Sequence, residues 1–394
     1  MSPDRTPDIA LIAPYPRLGV RHGGSSGVAS YTANLAHALA AQGATVTVVA
    51  PHEPGEPGVG MDGDIRVVRA FRNGPRAVPT ALAAARRTGA PVVHLQFELF
   101  LYGGPAALPG LIAGFRRGRR RGQRQIVTMH QVIDPAEIDE EFTGLHRMRV
   151  NAGVARFAID RIQRAVAALS DAVIVHEPAF AAVVPGAVTV PHGVEVGPPS
   201  AAVSTDQAMA RAELGVDDRF LALCFGFLAP YKGLELAGDA ARQAGGDVQL
   251  VIAGGEHPRL ESRHGYAAGL RRDYGDVARF TGYVPDGDVH RWFDAADVVL
   301  LTYPAPHASS GALALALAHH KPVLASAPLA RTCGLPDSVV AADTDDLASR
   351  LRGLAHDPSG LSELARVTDT LGGERSWDVI GRRHLDLYEE AEAA

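Results

Sequence analysis

The sequence predicts an α/β protein made of two doubly wound, Rossmann-like parallel-sheet domains facing a central cleft, and three observations predict it. The chain has 394 residues, too many for one ordinary core and suited to two domains of about 150 to 200 residues each. Apolar runs of strand length alternate with stretches of helical periodicity in both halves. The runs are nearly continuous in Val, Ile, Leu and Ala, as strands covered on both faces by crossover helices must be.

In the first half DIALIAPYP, ATVTVVAP, IRVVRAF, PVVHLQF, QIVTMH and DAVIVHEP read as strands. Between the first two lies VASYTANLAHALAAQG, apolar at helical spacing with a glycine after its last turn. Strand, helix and strand in that order imply a right-handed crossover. The second half repeats the plan with RFLALCFGFL, VQLVIAGG, ARFTGYV, DVVLLTYP, PVLAS and SVVAAD. A dozen parallel strands in one sheet would be unusual, so a second sheet is expected. The stretch GVEVGPPSAAVST, 193–205, marks the boundary, giving an N-terminal domain over 1–195 and a C-terminal domain over 206–375. The remainder, 376–394, reads as an amphipathic helix with Trp377, Ile380, His384, Leu385 and Tyr388 on or near one face.

Composition excludes several classes. Apolar residues make up 46% and charged residues 21%, close to the globular average. The opening MSPDRTPDIALIAPYP holds too short an apolar run for a signal peptide or a membrane span, which points to the cytoplasm. Two cysteines, Cys224 in an apolar run and Cys333 in a polar loop, build neither a disulfide framework nor a metal site. The net charge of −6 offers no reason to bind nucleic acid. The stretch RRGRRRGQR, Arg116 to Arg124, is a local exception. With the preceding LPGLIAGF it reads two ways: an apolar helix face with a basic collar touching an anionic membrane, or a solvated helix end.

Of 38 Lys and Arg residues, all but Lys232 and Lys321 are Arg, so a lysine kept here is a candidate for a task arginine does not do. Lys232 lies in FGFLAPYKG, after a strand and before a helix, where a compact point charge can hold a phosphate. Lys321 precedes Pro322 at a turn and reads as a surface residue. The turn Gly23-Gly24-Ser25-Ser26-Gly27 leads straight into a helix and is open to two readings, an anion seat or a connector capped by Ser26. Ser309-Ser310-Gly311, ahead of the apolar helix ALALALA, has the same two readings. Four histidines, His94, His130, His176 and His192, fall at or just past strand ends on one sheet edge. Their spacing matches no zinc pattern, and the Asp-x-Asp triplets at 62–64, 286–288 and 343–345 fall in turns, so no metal is expected.

In this order and spacing, the glycine loop, IVTMH, VTVPHGV, FGFLAPYKG, LVIAGG, FTGYVPDGDVHRWFDAADVVLLTYP and PVLAS resemble family 4 of the retaining GT-B glycosyltransferases over nearly the whole chain. The resemblance implies transfer of a sugar from a nucleotide diphosphate donor, held mainly by the C-terminal domain, to a hydroxyl of a small-molecule or lipid-linked acceptor met mainly by the N-terminal domain. It implies a metal-independent reaction with no cofactor and no protein nucleophile, the departing phosphate oxygen helping to deprotonate the acceptor. It implies that the last helix crosses back to the N-terminal domain. It makes His130, beside the donor sugar, and Lys232, on the diphosphate, the catalytic residues. Gly24, Gly27, Gly226, Gly255, Ser309, Ser310 and Gly311 join the donor side, with Tyr283 and Val284 at the base, while Gln96, Phe97, Glu98 and His176 lie on the acceptor side.

The chain departs from the family at three points. Phe227 stands where the family usually has arginine, and His307 and Leu315 stand where it usually has two glutamates. Leucine cannot accept a ribose hydrogen bond. The alternatives are therefore the same fold with altered or lost chemistry, a sugar-nucleotide epimerase or a non-catalytic nucleotide-sugar-binding protein.

Overall fold

The computed structural model describes residues 8–21, 27–74, 76–98, 101–102, 108–145, 148, 150–196, 203–256, 265–304 and 310–393. The chain forms two compact units, one of Met1–Gly193 with Trp377–Ala394, the other of Val194–Ser376.

The first unit holds β1 (Asp8–Ile12), β2 (Thr45–Pro51), β3 (Val59–Asp62), β4 (Ile65–Phe71), β5 (Val92–Phe97), β6 (Arg124–Met129), β7 (Ala172–Val175) and β8 (Val188–Thr189). They form one sheet in the order β3-β4-β2-β1-β5-β6-β7-β8. All neighbours are parallel except β3, which pairs antiparallel with β4. The hairpin turns at Gly63, whose φ of 60° suits glycine. Sequence reasoning missed β3 and β8 because VGMD lies in a Gly- and Pro-rich stretch and VT is too short to carry a period. Every residue of β5 is buried, as expected of a strand covered on both faces.

The helix Leu108–Arg119 decides between the two readings of the basic stretch as far as its apolar side goes. Leu111 and Phe115 are buried in the unit's core, and a Cβ at Gly114 would come within 2.3 Å of Leu82, so the helix is pressed against its neighbour Ala77–Thr88. Its apolar face is core, whereas Arg116, Arg117, Arg119, Arg120 and Arg121 are exposed. Among the described residues no helix is long and apolar enough to cross a membrane.

The last helix, Trp377–Ala393, packs on Gly27–Ala41, with Gly381 set against Ala38 and the Gln42 amide donating to the Asp378 carbonyl at 2.8 Å. Ile380, His384 and Tyr388 are fully buried there.

The second unit holds β9 (Phe220–Phe225), β10 (Val248–Ala253), β11 (Ala278–Gly282), β12 (Val298–Leu301), β13 (Val323–Ser326) and β14 (Val340–Ala341), all parallel, in the order β11-β10-β9-β12-β13-β14. Leu221, Leu223, Val251, Val299 and Leu301 lie in its core. Cys333 closes the helix Ala327–Cys333 and is buried like Cys224, rather than sitting in a polar loop.

Candidate active site

In the second sheet the chain winds one way from β9 through β10 to β11 and the other way from β12 onward. Between β9 and β12 the order reverses, and the carboxyl ends of two such strands are where doubly wound sheets bind their ligands. Two glycines allow the backbone to close around this point. A Cβ at Gly254, φ 152°, would lie 1.9 Å from the Gly226 carbonyl oxygen, and one at Gly233, φ 59°, would lie 2.2 Å from that of Thr302.

Lys232 ends the short turn Pro230–Lys232 at this point and is only 9% exposed. Its ammonium donates to the Tyr303 hydroxyl, sits 4.3 Å from the centre of that ring, and lies against Gly226, where a Cβ would approach Nζ to 3.1 Å. Among the described residues no carboxylate pairs with it. Desolvation pulls its pKa from the ordinary 10.5 down to about 8. Tyr303 is held by the Ser310 hydroxyl, which donates to it at 3.0 Å, and its own carbonyl accepts from Ser326 at 2.6 Å. Burial pushes the Tyr303 hydroxyl up as well, so it stays a neutral partner. A buried cation with a neutral partner at the switch point of the sheet is suited to meet an anion.

The other expected donor residues follow the same edge. Gly255 comes after β10, and Tyr283 and Val284 come after β11, with Val284 buried and Tyr283 72% exposed. Two strand spacings separate β11 from β9, about 10 Å, a length a nucleoside diphosphate can bridge. Ser310 caps the helix Gly311–Ala318, its oxygen accepting the Leu313 N–H at 3.2 Å. Its hydroxyl is therefore already committed to the cap and to Tyr303. A Cβ at Gly311 or Gly27 would meet nothing, so the protein itself does not demand glycine at either position. Gly24, Ser309 and His307 lie outside the described residues. Leu315 is half buried against the core, and Phe227 is exposed.

In the first unit β5, β6 and β7 are neighbours, and this brings the histidines together. His176 Nδ1 lies 3.0 Å from the Val190 carbonyl, His176 Nε2 lies 3.2 Å from His130 Nδ1, and His130 Nε2 lies 2.8 Å from Gln96 Oε1. The Gln96 amide nitrogen is 3.2 Å from His94 Nε2, and His94 Nδ1 is 2.7 Å from the Tyr388 hydroxyl. The carbonyl at one end sets the polarity of this chain. A neutral His176 must donate from Nδ1 to Val190, so its Nε2 accepts from His130 Nδ1, and His130 Nε2 keeps a lone pair. That lone pair needs a donor, so the Gln96 amide satisfies the neutral chain only with its NH2 toward His130 and its oxygen toward His94. Burial lowers the pKa of His130 and His94 well below the ordinary histidine value, which favours the neutral form. The Tyr31 ring backs the group, 4.7 Å edge-on from His130 and 5.0 Å from both His176 and His192.

Both nitrogens of His130 are thus occupied within the unit. Gln96 and His176 are buried and hold His130 in place, Phe97 is buried in the core, and Glu98 is partly exposed after the strand. Tyr31, Tyr303 and Tyr388 were missed as partners of these groups, because nothing in the sequence pairs residues dozens of positions apart. Lys321 corrects an expectation: it is buried, not superficial. Its ammonium donates to the Asp294 carbonyl at 2.8 Å, because the turn into β13 folds it against the end of the helix Val289–Ala295. Among the described residues no group of three His, Cys, Asp or Glu side chains is arranged to hold a metal ion.

Comparison with known proteins agrees with this architecture. The glycosyl transferase 4-like domain matches residues 26–198, and glycosyl transferases group 1 matches residues 206–344. Among curated proteins none matches in sequence. Sucrose-phosphate synthase from Thermosynechococcus elongatus superposes with a TM-score of 0.68 at 21% identity, over 98% of this chain and 99% of that one. HepE from Anabaena, solved with UDP, gives 0.66 at 15% identity, over 97% and 100%. The catalytic domain of starch synthase IV from Arabidopsis thaliana, bound to ADP and acarbose, gives 0.66 at 13% identity, over 99% and 100%. The chain belongs to the GT-B glycosyltransferases, with a 4-like first unit and a group 1 second unit.

Proposed function

We propose that the protein transfers a sugar from a nucleoside diphosphate sugar to an acceptor hydroxyl with retention at the anomeric carbon, and without a metal ion. The observation that carries this reading is Lys232, a buried ammonium without a carboxylate partner among the described residues, at the switch point of the second sheet. A diphosphate there supplies the missing counter-charge and restores the cation's preference for its proton. The relatives of the same fold solved with UDP or ADP support a nucleotide donor.

In this reading Tyr283 and Val284 meet the base, Gly226, Gly255 and Gly311 let backbone approach the phosphates, and Lys232 neutralises the charge that grows on the leaving oxygen. The first unit meets the acceptor, with Gln96 and His176 fixing the His130 ring. The acceptor oxygen bonds to the anomeric carbon, the bond from that carbon to the phosphate oxygen breaks on the same face, and this oxygen takes the acceptor proton. Products are a glycoside and a nucleoside diphosphate. Leu315 accepts no hydrogen bond, so the ribose hydroxyls are met by other groups than in most of the family.

Calorimetric titration of UDP, ADP and GDP, each against its bare nucleoside, tests the core of this reading. At least one diphosphate should bind ten times or more tighter than its nucleoside in wild type, and Lys232→Met should erase that difference. Equal affinities in wild type would refute the phosphate site. Transfer products made with and without EDTA, with the anomeric configuration read by NMR, test the metal and the retention.

A further inference from the structure

A cavity of about 510 Å³ opens in the first unit at the carboxyl ends of β2 and β4, away from the histidine chain. His52, the residue after β2, forms one side, and its N–H donates to the Phe71 carbonyl at 2.7 Å, tying the two strand ends together. Arg72 and Asn73, after β4, Arg76, just before the helix Ala77–Thr88, and Thr80 in its first turn form the rest of its polar lining, which contains no Asp or Glu.

The arginines are the informative part. Arg69, in β4 itself, is buried, bonded to the carbonyls of Tyr15, Pro51 and Pro16 and to Glu56, and so has a structural task. Arg72 and Arg76 are exposed, and among the described residues neither makes an ion pair or a side-chain hydrogen bond. Two guanidinium groups without a partner among the described residues line one cavity together with a histidine. A planar guanidinium is the side chain best matched to the paired oxygens of a phosphate or carboxylate. The helix beginning at Ala77 has no side-chain cap, so the positive end of its dipole adds to the same field.

We propose that this cavity seats an anionic group, a phosphate or carboxylate, carried by the acceptor. The proposal rests on the reading that the first unit meets the acceptor. β4 stands two strands from β1, whose connection leads to Gly27. At the usual strand spacing that is about 10 Å, which sets the order of distance between the anion and the hydroxyl that receives the sugar.

The test uses the full chain and inorganic phosphate, in a Lys232→Met background so that the second unit's phosphate site does not contribute. Phosphorus NMR line broadening should show saturable binding, weakened at least tenfold by Arg72→Gln/Arg76→Gln, with thermal melts confirming that the variant folds. Arg76→Gln alone, expected to weaken binding severalfold, serves if the double variant does not fold. Displacement of phosphate by glucose 6-phosphate or glucuronate, but not glucose, would identify a soluble anionic acceptor. Arginine-dependent cosedimentation with phosphatidylglycerol vesicles, without such displacement, would identify a lipid headgroup as the source of the anion. Absence of saturable phosphate binding, or binding untouched by both arginine variants, overturns the proposal. Failure of the nucleotide reading leaves this outcome intact, because Lys232 is already absent.

Discussion

Replacing Lys232 by methionine should make the empty protein more stable and the nucleotide site much weaker. Methionine keeps the length of the side chain and removes the charge. The drop in the lysine's pKa from 10.5 to about 8 corresponds to about 3 kcal/mol of disfavoured charge in the folded state. Methionine relieves that cost, and loses the hydrogen bond to Tyr303, worth about 1 kcal/mol. Tyr303 keeps its bond from Ser310, so the net gain should be about 1–2 kcal/mol at pH 7, or a rise of several degrees in the melting temperature. A nucleoside diphosphate loses a contact between charged groups, about 1.5–3 kcal/mol, and should bind ten- to a hundredfold more weakly.

The sign with pH follows from linkage. Between about pH 8 and 10.5 the unfolded chain holds the lysine proton and the folded chain releases it, so wild type gains stability as pH rises through this window. Methionine gains nothing there. Melting of both proteins from pH 7 to 10 should show the variant ahead at pH 7 and its lead vanishing by pH 10. A variant less stable at pH 7, or one that binds nucleoside diphosphate like wild type, would refute the reasoning.

Further outcomes follow from the same geometry. Diphosphate raises the pKa of Lys232 when it binds, so affinity should be level below pH 8 and fall up to tenfold per pH unit above it, with proton uptake measurable by calorimetry in buffers of different ionisation enthalpy. Gly233→Ala puts a Cβ 2.2 Å from the Thr302 carbonyl oxygen at a φ of 59° and should cost more than 2 kcal/mol in denaturant melts, whereas Gly27→Ala meets nothing and should leave stability within about 0.5 kcal/mol. Gln96→Leu leaves His130 Nε2 without its partner; we expect turnover to fall about tenfold and its acid limb to shift, and an unchanged pH profile would deny the positioning role. Truncation after Ser376 removes the fully buried Ile380 and Tyr388, so hydrogen exchange should accelerate in the first unit rather than in Val194–Ser376.

The α/β architecture was legible in the sequence because parallel strands buried on both faces leave unbroken apolar runs such as VVHLQF and LALCF, and crossover helices fill the intervals. The bias toward arginine made Lys232 conspicuous for the same kind of local reason. What the sequence alone does not contain is adjacency. β9 and β12 are neighbours in the sheet though two strands intervene in the chain, and only that places Tyr303 against Lys232 at the switch point. His94, Gln96, His130 and His176 could be named one by one, but their order as a hydrogen-bonded chain depends on the register of three strands and on a tyrosine from the last helix. Lys321 read as a surface residue because its burial is made by a helix it follows at a distance. Likewise Arg69 and Arg72 look alike along the chain, and only the fold buries the first among carbonyls and leaves the second facing a cavity. Periodicity is local and survives in the sequence, whereas pairing, burial of charge and the shape of a cavity depend on which distant segments the sheets bring together.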